Sequence, residues 1–266
     1  MKIGFIGGGN MAGAIAGGVI NSGLCKKSDL YICDKNPAVL KQYDKEFHVS
    51  ADNHDAFLGD YIILAVKPFI LPSVLEELAR FDKKELEQKV FVSIVAGVTI
   101  DTIRKTLGKR AKVVRVMPNT PALVQEGMTV IAQREEAVSE AEFQDVVRIF
   151  DAVGKTEVMA ESMINTVTGV SGSSPAYVYM LIEAMADAGV LGGLSRDAAY
   201  RLAAQAVLGS AKMVLESGKH PGELKDMVCS PKGTTIEAVA ELEKRGFRSA
   251  VIEAIRACNE KANNIN

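Results

Sequence analysis

Lys2-Ile3-Gly4-Phe5-Ile6-Gly7-Gly8-Gly9-Asn10-Met11-Ala12 is the stretch on which the fold turns. The apolar run ending at Ile6 has the composition of a short strand. Three glycines break it, and Met11, Ile15, Val19 and Ile20 then recur at helical spacing. Strand, tight turn and helix in that order make the glycine triplet, weak by itself, a G-x-G-x-x-G/A dinucleotide-binding fingerprint. Gly7 permits the turn, Gly9 lets backbone approach a pyrophosphate, and Ala12 lets the helix pack closely on the strand. The first N–H groups of the helix have no intrahelical acceptor and suit a phosphate.

Working outward, four more β-rich runs follow: Leu30–Cys33, Tyr61–Val66, Val90–Val95 and Val113–Val116. Helical stretches such as Pro72–Phe81 and Thr99–Leu107 separate them. This alternation predicts a parallel, doubly wound sheet covered on both faces, with ligands beyond the carboxyl ends of the strands. Runs at Met128–Ala132 and Thr156–Val158 extend the sheet, with a helix over Ser139–Val153 between them. After about residue 160 only alanine-rich helical stretches remain, at 175–189, 195–217, 222–229, 234–245 and 247–263. Ser195 reads as an N-cap, Gly218 and Gly246 as stops. The expected fold class is therefore α/β: an N-terminal Rossmann-like dinucleotide-binding domain over 1–160, then an all-α substrate-binding and dimerisation domain over 161–266. A thin helix-only layer needs a partner surface, which points to a homo-oligomer.

The bulk composition excludes several classes. With 48% hydrophobic and 24% charged residues the chain is an ordinary globular protein, and a formal net charge of −2 gives no general field for nucleic acid or an anionic membrane. The four cysteines, Cys25, Cys33, Cys229 and Cys258, lack C-x-x-C spacing, so reduced thiols and no metal site are expected. The first apolar run collapses into glycines after six residues, with no signal-peptide core and no 18-residue apolar span, so a cytoplasmic protein is expected.

Candidate site residues cluster at the strand ends. Asp34 closes the second strand, where a carboxylate accepts from an adenosine ribose and repels a 2′-phosphate. Lys35, next to it, attracts that phosphate, so NADH and NADPH both stay open. The alternative is that Asp34 caps the turn before Asn36-Pro37. Lys67-Pro68 and Ala96-Gly97 end strands three and four beside the expected groove, though Lys67 also reads as a plain surface lysine. In Met117-Pro118-Asn119-Thr120-Pro121 two prolines fix the backbone while Asn119 offers a donor and an acceptor to a carboxamide. Two hydroxyl- and glycine-rich segments, Ser171-Gly172-Ser173-Ser174-Pro175 and Ser230-Pro231-Lys232-Gly233-Thr234-Thr235, precede helices. N-capping explains either one; together, in a dinucleotide fold, they point to a carboxylated substrate.

These segments, with Ala65-Val66-Lys67-Pro68, resemble the pyrroline-5-carboxylate reductase family essentially end to end. Both hydroxyl-rich segments are specific to that family, whereas the glycine fingerprint is shared by many dehydrogenases. The resemblance implies hydride transfer from NADPH or NADH to the C=N carbon of 1-pyrroline-5-carboxylate, giving L-proline, the last step of proline biosynthesis. It implies that Ile6, Gly7, Gly8, Gly9, Asn10, Met11, Lys35, Asn53, Ala65, Val66, Lys67, Pro68, Val95, Ala96 and Gly97 line the cofactor. It implies further that Ser230, Gly233, Thr234 and Thr235, with Ser171, hold the substrate, and that the Thr168 hydroxyl lies near the imine nitrogen. Subunits would interlock through their helical domains, with the active site at that junction. The family often carries glycine where Ser174 and Lys232 stand, and small or basic residues where Asp34-Lys35 stands.

That chemistry asks for positioning and exclusion of water more than for acids and bases. It fits a chain whose three histidines, His48, His54 and His220, lie outside the substrate segments. A β-hydroxyacid dehydrogenase would want a lysine or histidine acid, and those segments offer only Lys232. A non-catalytic nucleotide sensor is the rival from another class.

Overall fold

The computed structural model describes residues 1–43, 45 and 47–264. It divides into two compact units, one running from Met1 to Ser173 and resuming at Cys258, the other from Ser174 to Ala257.

The first unit carries β1 (Ile3–Ile6), α1 (Asn10–Asn21), β2 (Leu30–Cys33), α2 (Pro37–Leu40), β3 (His48–Ser50), β4 (Tyr61–Leu64), α3 (Leu71–Leu78) and α4 (Lys83–Gln88). It continues with β5 (Val90–Ser93), α5 (Ile100–Leu107), β6 (Lys112–Met117), β7 (Gly127–Ala132), α6 (Glu140–Asp151), β8 (Gly154–Met159) and α7 (Ile164–Val167). The strands form one sheet in the order β3-β2-β1-β4-β5-β6-β7-β8. Every residue of β1, β2, β4 and β5 is buried, because helices cover both faces. Alternation sorts their side chains. Ile3, Phe5, Leu30, Ile32, Ile63 and Val92 meet α1 and α6 on one face. Ile6, Cys33, Ile62, Leu64 and Phe91 meet α3 and α5 on the other.

Two features depart from the expectation. β3 was absent from it: three residues at the sheet edge, largely exposed, leave no apolar run to read. And β7 runs antiparallel to β6, because the short 3₁₀ turn Thr120–Val124 is no crossover helix.

Residues 161–173, beyond the expected 160/161 boundary, pack with the first unit. The Arg115 guanidinium, 3% exposed, reaches Glu161 at 3.3 Å and Asn165 at 2.8 Å, while Glu161 accepts from the Ile100 N–H at 2.8 Å. Residues just past 160 are thereby stitched to the sheet.

The second unit holds α8 (Ser174–Leu191), α9 (Arg196–Ser217), α10 (Pro221–Val228), α11 (Thr234–Lys244) and most of α12 (Phe247–Asn263). Ser195 caps α9 by accepting from the Ala198 N–H, and Gly218 (φ 65°) and Gly246 (φ 74°) supply the left-handed turns after α9 and α11. α8 approaches its neighbour through small residues, Gly189 lying against Ala199. Few side chains in this unit are enclosed, while Leu191 is 91% and Leu215 84% exposed. Among the described residues no helix is long and apolar enough to cross a membrane.

Candidate active site

β1 delivers the chain into the glycine turn, and the three glycines divide the work. Gly7 has φ +101°, and a Cβ there would lie 2.6 Å from the Ala65 carbonyl oxygen at the end of β4. It is glycine for the fold's sake. Gly9 has an ordinary extended backbone (φ −72°, ψ −171°), and a Cβ there meets no atom within 4 Å, so it would project into open groove. Nothing in the packing of the chain calls for glycine there. Gly9 also opens α1 without any side-chain cap, so first-turn N–H groups have no side-chain acceptor, the arrangement that suits an anion.

Gly8 departs from its expected place among groove residues. It is buried, its N–H donates to Asp34 Oδ2 at 2.9 Å, and its carbonyl accepts from Gln42 Nε2 at 2.6 Å and the Tyr43 hydroxyl at 2.8 Å. Its peptide is an anchor that sets the turn. Gln42 and Tyr43 were invisible in the sequence, since nothing in a polar pair ahead of a loop marks it as a clamp. Burial, with Asp34 nearby, pushes the Tyr43 phenol up to about 12.

Two adjoining recesses, each about 590 Å³, open along the strand ends and share Gly9, Ala65, Val66 and Lys67. One is completed by Asn10, Met11, Pro68, Val95, Ala96, Met117, Pro118 and Thr120. Ile6, Gly7, Asp34, Lys35 and Asn53 line the other. The structure thus gathers nearly all of the expected cofactor residues. Gly97 (φ 78°) turns the chain after β5 without lining either recess. Asp34 lines the groove, and its Oδ1 accepts from the Asn36 N–H at 2.8 Å, as its turn-capping reading requires. Cys33, also in this wall, has its thiol pushed up to about 12 by burial.

Asn119 has its side-chain amide engaged within the fold. It is 8% exposed, its amide nitrogen donates to the Ser171 carbonyl and its amide oxygen accepts from the Met128 N–H, both at 2.9 Å. Rather than presenting these groups to a carboxamide, it ties the end of β6 to β7 and to the Ser171 segment.

Thr168–Gly172 forms a π-helical turn after α7, closed by the Ser173 N–H donating to the Thr168 carbonyl at 2.7 Å. The last turns of α12 hold it: Asn259 Oδ1 accepts from the Gly169 N–H at 2.9 Å, and Cys258 Sγ meets Ser173 Oγ at 3.3 Å. The Thr168 hydroxyl donates to the Ile164 carbonyl at 3.1 Å, and the Ser171 hydroxyl leans on the Val167 carbonyl at 3.5 Å. In the second unit Ser230–Gly233 closes a turn, the Gly233 N–H donating to the Ser230 carbonyl at 3.0 Å. A Cβ at Gly233 would overlap the Ser230 hydroxyl, and α11 starts at Thr234 with no side-chain cap. Lys232 sits at φ 59°, the left-handed conformation that glycine adopts freely.

All three histidines are occupied elsewhere. His48 stacks on Tyr31, His54 packs edge-on against Phe81, and His220 caps α10 by accepting from the Gly222 N–H.

A doubly wound sheet, a phosphate-ready helix start and an extended groove along the strand ends define a nicotinamide-dinucleotide oxidoreductase. Comparison with known proteins narrows the class. A model of pyrroline-5-carboxylate reductase dimerisation matches residues 161–265, and one of NADP oxidoreductase, coenzyme F420-dependent, matches residues 2–97. The pyrroline-5-carboxylate reductase of Escherichia coli K12 is 52% identical over 98% of this chain and 97% of its own length. That of Methanosarcina acetivorans is 43% identical over 98% and 96%. The crystal structure of the Plasmodium falciparum pyrroline carboxylate reductase with NADP bound superposes with a TM-score of 0.90, at 34% identity, covering 100% of this chain and 98% of that one. The chain belongs to the pyrroline-5-carboxylate reductase family.

Proposed function

We infer that the protein reduces 1-pyrroline-5-carboxylate to L-proline with NADPH or NADH, as the last step of proline biosynthesis. The observation that carries this is the pairing, in one chain, of a groove shaped for a dinucleotide with a Ser230–Thr235 turn that feeds the uncapped start of α11. When bound, the dinucleotide supplies the hydride, and the imine carbon receives it more readily once the nitrogen is protonated.

The chain's own groups supply the rest. Gly9 and the first N–H groups of α1 grip the pyrophosphate. Ala65–Pro68, Val95 and Ala96 line one recess and would hold the nicotinamide end there, limiting access of water. The Ser230 and Thr235 hydroxyls with the Gly233 and Thr234 amides hold the substrate carboxylate, aided by the helix dipole of α11. Ser171 completes the substrate wall. Thr168 is the residue assigned to the imine nitrogen: its hydroxyl donates to the Ile164 carbonyl, which leaves the oxygen as the acceptor an iminium N–H would need. Orientation of this kind accounts for roughly 7 kcal/mol or more in well-aligned systems, and no lysine or histidine acid is required.

The catalytic assembly is a homo-oligomer built from dimers whose helical segments interlock, bringing each turn of α11 to a site at the junction. The description of the matched dimerisation model and the exposed leucines of the second unit support this. The cytoplasm, where reduced nicotinamide dinucleotides are maintained, is its compartment. Nucleic acid and membranes are not partners. The test is direct: protein, 1-pyrroline-5-carboxylate and NADPH or NADH are mixed and the nicotinamide absorbance followed. Consumption that yields proline is expected; no turnover with either dinucleotide removes the enzyme reading.

A further inference from the structure

Glu77 lies on the wall of the recess that ends at Asp34 and Lys35, and its surroundings are unusual for a helix residue. It occupies the last turn of α3, where the dipole disfavours a carboxylate, and no basic residue shares that turn. Its position is therefore poor for the helix. Yet the side chain is held inward: Asn53, 2% exposed, donates its amide to Glu77 Oε2 at 3.1 Å. From the other side Lys35 Nζ stands 3.3 Å from the same carboxylate oxygen. The lysine of the pair is 66% exposed against 32% for the carboxylate, so solvent screens the pair and it contributes little to stability. A buried amide aimed at an ion pair of that kind fixes the carboxylate's position in the groove.

The charges along this wall then read Asp34 negative, Lys35 positive, Glu77 negative. Lys67 lines both recesses and so faces the part common to NADH and NADPH. The two cofactors differ only in the 2′-phosphate of the adenosine ribose, which carries between one and two negative charges near neutral pH. Lys35 directly follows Asp34 in the chain and lines the same wall, and its charge is already matched by Glu77. A phosphate arriving there meets two carboxylates and a cation that is engaged, whereas a 2′-hydroxyl meets two hydrogen-bond acceptors.

We propose that Glu77 is a cofactor-specificity residue: by occupying Lys35 and standing its own charge at the adenosine end, it favours NADH over NADPH. This deepens the reductase reading and rests on its assignment of the groove to a dinucleotide. Asp34 was the position the sequence marked for this choice. Glu77, more than 40 residues further on and on a different element, became visible only through the contacts of Asn53 and Lys35.

The test measures binding of NAD⁺ and NADP⁺, and kcat/KM for NADH and NADPH, in the native protein and in Glu77→Gln, Lys35→Met and the double variant. Gln retains an oxygen to accept from Asn53 and removes only the charge. In Glu77→Gln the preference ratio for the phosphorylated cofactor rises about tenfold, with NADH changing much less. Lys35→Met lowers that ratio by a larger factor in the Glu77→Gln background than in the native one, because only there is the lysine released. The same ratio in native protein and Glu77→Gln, with both dinucleotides still bound, overturns this proposal and leaves the reductase reading standing. Failure of the native protein to bind either dinucleotide overturns both.

Discussion

Gly9→Val and Gly7→Ala separate ligand binding from folding, because the two glycines are two residues apart yet answer to different constraints. At Gly9 the backbone conformation suits any L residue and a Cβ meets nothing within 4 Å. Removing glycine's freedom from the unfolded chain gains about 0.4–1 kcal/mol. Valine at a helix N-cap gives back a similar amount, so net stability changes by less than about 1 kcal/mol. At Gly7 alanine must adopt φ +101° with its Cβ 2.6 Å from a backbone oxygen that cannot rotate away. The conformation alone costs roughly 1–2 kcal/mol, and the contact brings the total to about 3. At about 2–4 °C per kcal/mol for a chain of this size, Gly7→Ala melts some 6–12 °C below native protein and Gly9→Val within about 4 °C of it. Dinucleotide affinity should behave oppositely in relation to stability. Gly9→Val stays folded but binds at least ~100-fold more weakly, about 2.7 kcal/mol, since its methyls fill the approach to the phosphate cradle. Thermal melts and titration of NADPH fluorescence measure both quantities. Normal binding by Gly9→Val, or unfolding of Gly9→Val with an unaffected Gly7→Ala, would refute the division of labour.

Three further outcomes follow from the same geometry. Thr235→Ala raises the substrate KM by more than the cofactor KM in steady-state assays, and the reverse order counts against a carboxylate-holding turn. Lys232→Gly relieves a left-handed lysine and, after glycine's entropy cost, raises stability by about 0.5 kcal/mol, read from the urea midpoint; a lower midpoint contradicts the strain. The Tyr43 phenol is raised from its ordinary 10.0 to about 12, so the protonated form is the one folding favours. Its contribution is complete below pH 10 and fades as the pH climbs from 10 to 12. Tyr43→Phe should make the alkaline loss of stability shallower, and an unaltered slope would sink the assignment.

The sequence made the sheet legible because buried parallel strands are apolar at every position, and Ile3–Ile6, Leu30–Cys33, Tyr61–Leu64 and Val90–Ser93 all are. His48–Ser50 escaped notice because a short edge strand needs no such run. The cofactor groove was legible for a similar reason: its residues follow strand ends, and strand ends can be counted along a chain. What could not be read was which polar groups were already engaged. Gly8 and Asn119 carry the right chemistry for a ligand, yet Asp34, Gln42 and Tyr43 occupy one, and Ser171 and Met128 the other. Those partners are set by tertiary packing, and local spacing holds no trace of them. The π-helical turn at Thr168 was hidden likewise, since its anchor Asn259 lies some 90 residues away.

The sparse enclosure of the second unit bears on how this protein must be handled. If the exposed apolar side chains of these helices are covered in the proposed dimer, association contributes to the free energy of folding and mass action enters directly. Each tenfold dilution of a dimer removes about 1.4 kcal/mol of that free energy. Its melting temperature is accordingly a property of a solution at a stated protein concentration, and activity lost on dilution should return when the protein is concentrated again.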